Sequence, residues 1–254
     1  MSYFTDDDFL GGRLRVRQPA RGYRSGIDPV LLAASVPARN GDHVLELGTG
    51  SGVALLCLMR RVSGLSAVGV ERNTELVQLA RENSSTNGHT YEVVEADLRQ
   101  LPADLRARSF DHVIANPPYF DRARGSAAAQ GSREDGRGEE TNLFDWVDIG
   151  VKRLKPGGRL TFIQRVDRVP DLLSCLDGRV GDVLLLPISA RNGRDAKLAI
   201  LQAKKGAKGP FRLLPPFLMH SGDTHVSDGD DYTPQASAIL RNGGPLDLSG
   251  LMNR

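Results

Sequence analysis

An α/β fold with a mostly parallel sheet and helices on both faces is what this sequence predicts, and three observations predict it. Short apolar runs alternate with helical stretches between residues 43 and 203. The first run leads directly into a glycine loop, Gly48-Thr49-Gly50-Ser51-Gly52, with a helical stretch behind it. Later runs end in polar residues, Glu71, Asp97 and Asn116, as strands of an open parallel sheet do at the edge where ligands bind.

The elements follow in order. Residues 9–27 hold five arginines and no acid. Arg13, Arg15 and Arg17 alternate with Leu14 and Val16, a period of two that puts three guanidinium groups on one face of a strand. With Arg24 beyond them, they suit a phosphate backbone; a charged, solvated edge strand accounts for them equally well. Asp28 is the expected N-cap, and Pro29 the first helical residue, of a helix through Val30-Leu31-Leu32-Ala33-Ala34. Strands are expected at 43–47, 67–71, 91–95, 110–116, 159–164, 180–186 and 197–203, seven in all, the last two forming a hairpin-like pair.

Glycines at 48, 50 and 52 allow tight turning and close approach of a ligand, with Glu46 two residues before the first. A dinucleotide fingerprint would instead put its third glycine at Val53. Glu71 lies about twenty residues beyond the loop, where a carboxylate holds a ribose diol. Asp97 is the polar residue after the third strand, and either acid could equally be a helix cap. Asn73 is the expected cap of a helix through Glu82 that Asn87-Gly88 ends.

The fourth strand runs into Asn116-Pro117-Pro118-Tyr119. Two successive prolines donate no backbone hydrogen bonds and fix their own φ angles, so they hold bare carbonyls in place beside an Asn that both accepts and donates. A cluster of fixed acceptors can orient a planar amine, a poor nucleophile, for attack, and Tyr119 adds a surface for a heterocycle. These residues are read as the reaction centre, with a proline-rich strand-to-loop turn carrying a rim aromatic as the alternative. Residues 120–140, rich in Gly, Ala, Ser and Arg, are expected to stay mobile until a substrate orders them. Arg122, Arg124, Arg133 and Arg137 there either meet phosphates or are simply solvated. Residues 142–155 have helical spacing ended by Pro156-Gly157-Gly158, and Trp146 reads as core.

At 254 residues and 40% hydrophobic content the chain can bury one full core. A net charge of +2 does not by itself demand a nucleic-acid partner. Cys57 and Cys175, each in an apolar stretch, predict buried free thiols and a reducing compartment, with no zinc spacing. The five histidines read as structural or exposed, so no metal is expected. The acidic start lacks a signal-peptide core and no run approaches a membrane span, so a cytoplasmic protein is expected.

Glu46-x-Gly48-x-Gly50-x-Gly52, followed by Glu71, Asp97 and Asn116-Pro117-Pro118-Tyr119 at successive strand ends, resembles the class I S-adenosylmethionine-dependent methyltransferases over roughly residues 22–204. The resemblance implies a Rossmann-like fold whose seven-stranded sheet has an antiparallel last strand. It implies a glycine loop beside the methionine part of S-adenosylmethionine, Glu71 on the ribose, Asp97 facing the adenine amine, and Asn116, Pro117 and Tyr119 at the nitrogen to be methylated. The flanking Gly11-Gly12-Arg13-Leu14-Arg15-Val16-Arg17-Gln18-Pro19 and Gly22-Tyr23-Arg24-Ser25-Gly26-Ile27-Asp28-Pro29 resemble the start of the bacterial valine-tRNA adenine-N6 methyltransferases. That implies tRNA as partner and Arg13, Arg15, Arg17 and Arg24 as RNA contacts, in a monomer or weak homodimer. The expected organisation is a basic segment at 1–28, the methyltransferase domain at 29–204 and a packed tail at 205–254. A glutamine methyltransferase acting on release factors, a nicotinamide oxidoreductase and a non-catalytic RNA-binding protein on the same scaffold are the competing readings.

Overall fold

The computed structural model describes residues 3–22, 24–118, 141–222 and 231–253. The chain opens with an antiparallel hairpin of β1 (Phe4–Phe9) and β2 (Leu14–Pro19), with Asp6 opposite Arg17 and Asp8 opposite Arg15. In β2 the period of two appears as burial: Leu14 and Val16 are fully buried while Arg15 and Arg17 face solvent.

The main sheet takes β3 (His43–Leu47), β4 (Ser66–Glu71), β5 (Glu92–Glu95), β6 (Phe110–Ala115), β7 (Leu154–Arg165), β8 (Val180–Ser189) and β9 (Ala196–Lys205) in the spatial order β8-β9-β7-β6-β3-β4-β5. From β5 across to β7 every pairing is parallel, and β9 runs antiparallel to both β7 and β8. Two short strands, β10 (Arg212–Leu213) and β11 (Phe217–Leu218), extend the expected seven to nine by pairing along the outer side of β8. Leu214 N–H donates to the Leu185 carbonyl and Met219 N–H to that of Ser189, so an edge that would otherwise stand open is covered.

Both faces of the sheet are buried, which is why its strands read as continuous apolar runs. One face packs under α1 (Asp28–Ser35), α2 (Val53–Arg61) and α3 (Thr74–Thr86), where Leu31, Leu55 and Val77 meet Val44, Ile114 and Ile200. The other packs under α4 (Ala103–Ala107), α5 (Leu143–Arg153) and α6 (Val169–Ser174), where Leu105, Val147 and Leu172 meet Leu45, Val113 and Leu201. Adjacent residues such as Val44 and Leu45 therefore serve opposite cores, each fully buried aliphatic side chain contributing about 1.5–3 kcal/mol. The last helix, α7 (Pro234–Asn242), starts at Thr233, whose hydroxyl accepts from the Ala236 N–H, and ends at Gly243 in the left-handed region. Its Ile239, with Leu246 and Leu248 beyond it, joins the core under α1.

Some local expectations shift. Asp28 is the first residue of α1 and Ile27 holds the N-cap position without a side-chain cap; Pro29 removes one backbone donor from the first turn, and the acid there complements the helix dipole. The helix after Asn73 runs to Thr86, four residues past Glu82, and the Asn73 side chain does accept from the Leu76 N–H. Cys57 is buried and Cys175 half-buried, both free. Among the described residues no helix is long and apolar enough to cross a membrane.

The hairpin is fixed to the domain by two asparagines one helical turn apart, Asn83 in α3 and Asn87 just past its end. Asn87 accepts from the Arg15 N–H at 3.0 Å and donates to the Arg15 carbonyl at 2.9 Å. Asn83 does the same for Arg17, at 2.8 and 2.9 Å, and donates also to the Ser51 carbonyl in the glycine loop at 2.9 Å. Two side-chain amides thus do for β2 what a neighbouring strand would.

Candidate active site

The sequence motifs converge at the carboxyl-terminal edge of the sheet. Leu47, the last residue of β3, lies beside Val70 of β4 and Ala115 of β6, and Glu71 beside Glu95 of β5. The glycine loop, Glu71 and Asn116 are therefore carried out at one edge by three adjacent strands, with Asp97 two residues past the end of β5.

Packing determines the glycine loop as much as conformation does. Gly48, Gly50 and Gly52 all have positive φ. A Cβ on Gly48 would lie 2.5 Å from the Trp146 ring, and one on Gly52 would overlap the Tyr91 hydroxyl. Trp146 is buried core, as expected, and it forms the floor of the loop. Gly50 differs, because a Cβ there meets nothing within 4 Å. The open side of the loop is at Gly50.

Glu71 ties this loop to the next strand end. Its Oε2 accepts from the Gly50 N–H at 3.0 Å and its Oε1 from the N–H groups of Arg72 and Asn73, both at 2.9 Å. The carboxylate is held in place and keeps acceptor capacity, since two carboxylate oxygens offer about four lone-pair directions. Glu46 is buried, and its Oε2 accepts from the Thr49 hydroxyl at 2.6 Å. Burial pushes its carboxyl up to about 8, against the opposing hydrogen bonds from Thr49 and the Leu55 backbone, so it is mostly protonated at neutral pH. A cation held nearby would draw that proton off. Asp97 caps a short 3₁₀ turn at Leu98–Gln100 through the Arg99 N–H and pairs with the Arg99 guanidinium at 3.2 Å; this hydrogen bond to Arg99 holds its carboxyl below the usual range.

Past β6, Asn116 is half-buried, Pro117 buried and Pro118 exposed. The Pro117 carbonyl accepts at 3.4 Å from Nε2 of Gln164, a buried residue near the end of β7. Nothing in the sequence pattern singled out Gln164; the available signal was a polar residue closing an apolar strand. Tyr119 and the arginines at 122, 124, 133 and 137 lie outside the described residues.

The N-terminal arginines are not brought to that centre by any described contact. Arg15 pairs with Asp6 at 3.5 Å, Arg17 with Asp6 at 3.1 Å and Glu82 at 3.7 Å, and Arg24 with Asp7 at 2.7 Å. Arg13 donates to the carbonyls of Leu10 and Arg241, tying the hairpin turn to the end of α7. The acids of β1 partly neutralise the row that the isolated β2 sequence suggested. Among the described residues no cluster of His, Cys, Asp and Glu has the makings of a metal site. His112 faces Asp42, and His220 faces Asp231 and stacks on Tyr232.

Comparison with known proteins agrees with this geometry. Residues 26–132 match the model of the methyltransferase small domain. A tRNA1(Val) (adenine(37)-N6)-methyltransferase of Glaesserella parasuis is 29% identical over 148 residues, 58% of this chain and 61% of its own length. A protein of the same description from Bacteroides fragilis is 30% identical over 56% of this chain and 60% of its own. The chain thus spans about three fifths of the length of these relatives. A solved Agrobacterium tumefaciens structure described as an O-methyltransferase superposes with a TM-score of 0.69 at 24% identity, covering 87% of this chain and 98% of that one. A Listeria monocytogenes protein assigned to the class I S-adenosylmethionine-dependent methyltransferases superposes with a TM-score of 0.53 at 19% identity, covering 74% and 62%. The cofactor of that family is S-adenosylmethionine, and the open flank of Gly50 beside the fixed carboxylate of Glu71 fits it. In strand order the chain has the fold of the class I S-adenosylmethionine-dependent methyltransferases, and over residues 26–132 it is similar to the methyltransferase small domain.

Proposed function

We propose that the protein transfers a methyl group from S-adenosylmethionine to the exocyclic N6 amine of an adenine in tRNA, with valine tRNA beside the anticodon as the first substrate to test. The observation that carries this reading is that β6 delivers Asn116-Pro117-Pro118 next to the glycine loop of β3. Relatives named as tRNA adenine-N6 methyltransferases support the choice of base and RNA.

The cofactor supplies an activated methyl on a sulfonium, so the chain has to supply position and electrostatics. With the cofactor bound, Glu71 would hold the ribose hydroxyls, the Gly48 to Gly52 loop would border the methionine part, and Asp97 would face the adenine. At the acceptor, the Asn116 side-chain carbonyl takes one N–H of the target amine and the Pro117 backbone carbonyl the other. With both N–H groups held, the nitrogen lone pair points out of the base plane and toward the methyl. The cofactor would supply the methyl, its sulfur–carbon bond breaking as the nitrogen–carbon bond forms, and the amine proton would leave to solvent. Tyr119 stacks on the base, which must leave any helical stack to enter, at lower cost from a loop than from a duplex. Arg15, Arg17 and Arg24, with Arg13 holding the hairpin turn, meet the RNA backbone.

The test is transfer of radiolabelled methyl into total RNA from cells lacking the gene, followed by digestion to nucleosides. Label in N6-methyladenosine from the tRNA fraction is the expected result. Label in protein, on N5-methylglutamine, would move the function to the release-factor class; RNA binding without any label would leave a binding role only.

A further inference from the structure

A proline pair fixes φ on both residues and leaves the carbonyl between them free to swing with ψ of Pro117, restricted only to the extended region by Pro118. The ladder between β6 and β7 ends with Ala115 opposite Phe162. Two residues further along both chains, Pro117 comes level with Gln164. That side chain is only 1% exposed, between the fully buried Ile163 and the start of a surface turn. Its Nε2 donates to the Pro117 carbonyl at 3.4 Å while its Oε1 accepts from the Arg165 N–H at 2.8 Å. Burying a glutamine costs both desolvation and rotamer entropy, which an aliphatic residue at the same place would largely avoid.

We infer that Gln164 is a positioning residue for methyl transfer: it clamps the Pro117 peptide so that one carbonyl lone pair is occupied and the other faces the amine to be methylated. This deepens the methyl-transfer reading and rests on it. A backbone carbonyl accepts in two directions, and a fixed donor in one sets the orientation of the other. The contact to Arg165 N–H in turn sets which end of the Gln164 amide points at Pro117, so the clamp has a defined polarity. Gln164 itself touches neither substrate nor cofactor.

Two variants test it, Gln164→Leu and Gln164→Glu, each assayed for methyl transfer across pH with cofactor affinity and melting temperature measured alongside. Gln164→Leu should lower kcat by about ten- to hundredfold at every pH, the scale of a misplaced reacting group, with cofactor Kd within about twofold of wild type. Gln164→Glu should lose kcat similarly in alkali, where the ionised carboxylate opposes the carbonyl. It should recover as pH falls and the protonated acid donates in place of the amide. A residue that merely filled space would show no such recovery. The assignment is overturned if Gln164→Leu keeps kcat within about twofold of wild type. It is likewise overturned if Gln164→Glu follows the wild-type pH profile, or if both variants lose kcat only in proportion to lost melting temperature. The substrate reading is judged separately by the wild type: label outside RNA rejects adenine in tRNA while the variant ratios, read on the planar nitrogen that is labelled, still decide Gln164. A wild type that labels nothing rejects both.

Discussion

The two halves of the site are built differently. On the cofactor half, the glycine loop, Glu46, Glu71 and Asn83 close on one another through hydrogen bonds within the chain, and two of the three glycines are enforced by a ring or hydroxyl that leaves no room for a Cβ. On the acceptor half, β6 ends, two prolines remove backbone donors, and one buried glutamine amide holds the Pro117 carbonyl. The first half is pre-assembled by the chain's own contacts. In the proposed reaction the second half is completed by the group that binds there, and that is where the nitrogen to be methylated would be chosen.

The sharpest break between the halves is expected from Asn116→Ala. It should lower kcat by about a thousandfold or more, the scale of losing a transition-state hydrogen-bonding group, with S-adenosylmethionine affinity by calorimetry nearly unchanged. Glu71→Ala should do the reverse, weakening cofactor binding by about ten- to hundredfold with a smaller effect on turnover at saturation, since the lost hydrogen bonds to a charged group are worth about 1.5–3 kcal/mol. Unchanged affinity in that variant would remove Glu71 from the ribose. Neutralising Arg15 and Arg17 together should flatten the salt dependence of RNA binding by about one unit of slope for each phosphate no longer neutralised, leaving cofactor binding alone. An unchanged slope would return β2 to a solvated edge already balanced by Asp6.

The smallest effect concerns Glu46. Its carboxyl in the folded chain is raised from its ordinary 4.5 to about 8, so its contribution favours folding at low pH and is lost as pH rises through that window. A glutamine in place of the acid would not titrate. Glu46→Gln should therefore gain melting temperature relative to wild type between about pH 4.5 and 8 in the absence of cofactor, at no more than about 1.4 kcal/mol per pH unit. A difference that stays constant with pH would show that Glu46 is ionised in the free protein.

What could be read from residues alone follows the same division. The strands and the glycine loop were legible because their signals are local: an apolar run with both faces buried, glycines where φ must be positive, Asn73 three residues before the N–H it caps. The polar strand ends fell at one edge because a parallel sheet puts them there. What escaped was long-range pairing. The arginines of β2 looked unopposed until β1 folded back with Asp6, as did Arg24 until β1 brought Asp7, and nothing near residue 164 announces Pro117, forty-seven positions away. The strands β10 and β11 are two residues each, too short to carry a periodicity. Asn83 and Asn87 did leave a trace, four residues apart on one helix face, but asparagine there reads first as a helix ending, and only the fold gives it a strand to hold.

That pair of asparagines also limits how the hairpin can associate. A two-stranded ribbon ordinarily invites a third strand, from another copy or from a peptide. Here the β2 side is taken by side-chain amides at Arg15 and Arg17, and the β1 side carries three consecutive aspartates, a charged guard of the kind that discourages strand addition. With its backbone closed off in this way, the ribbon is left to deal with other molecules through its side chains, so that its specificity can be rewritten by surface substitution without touching the fold.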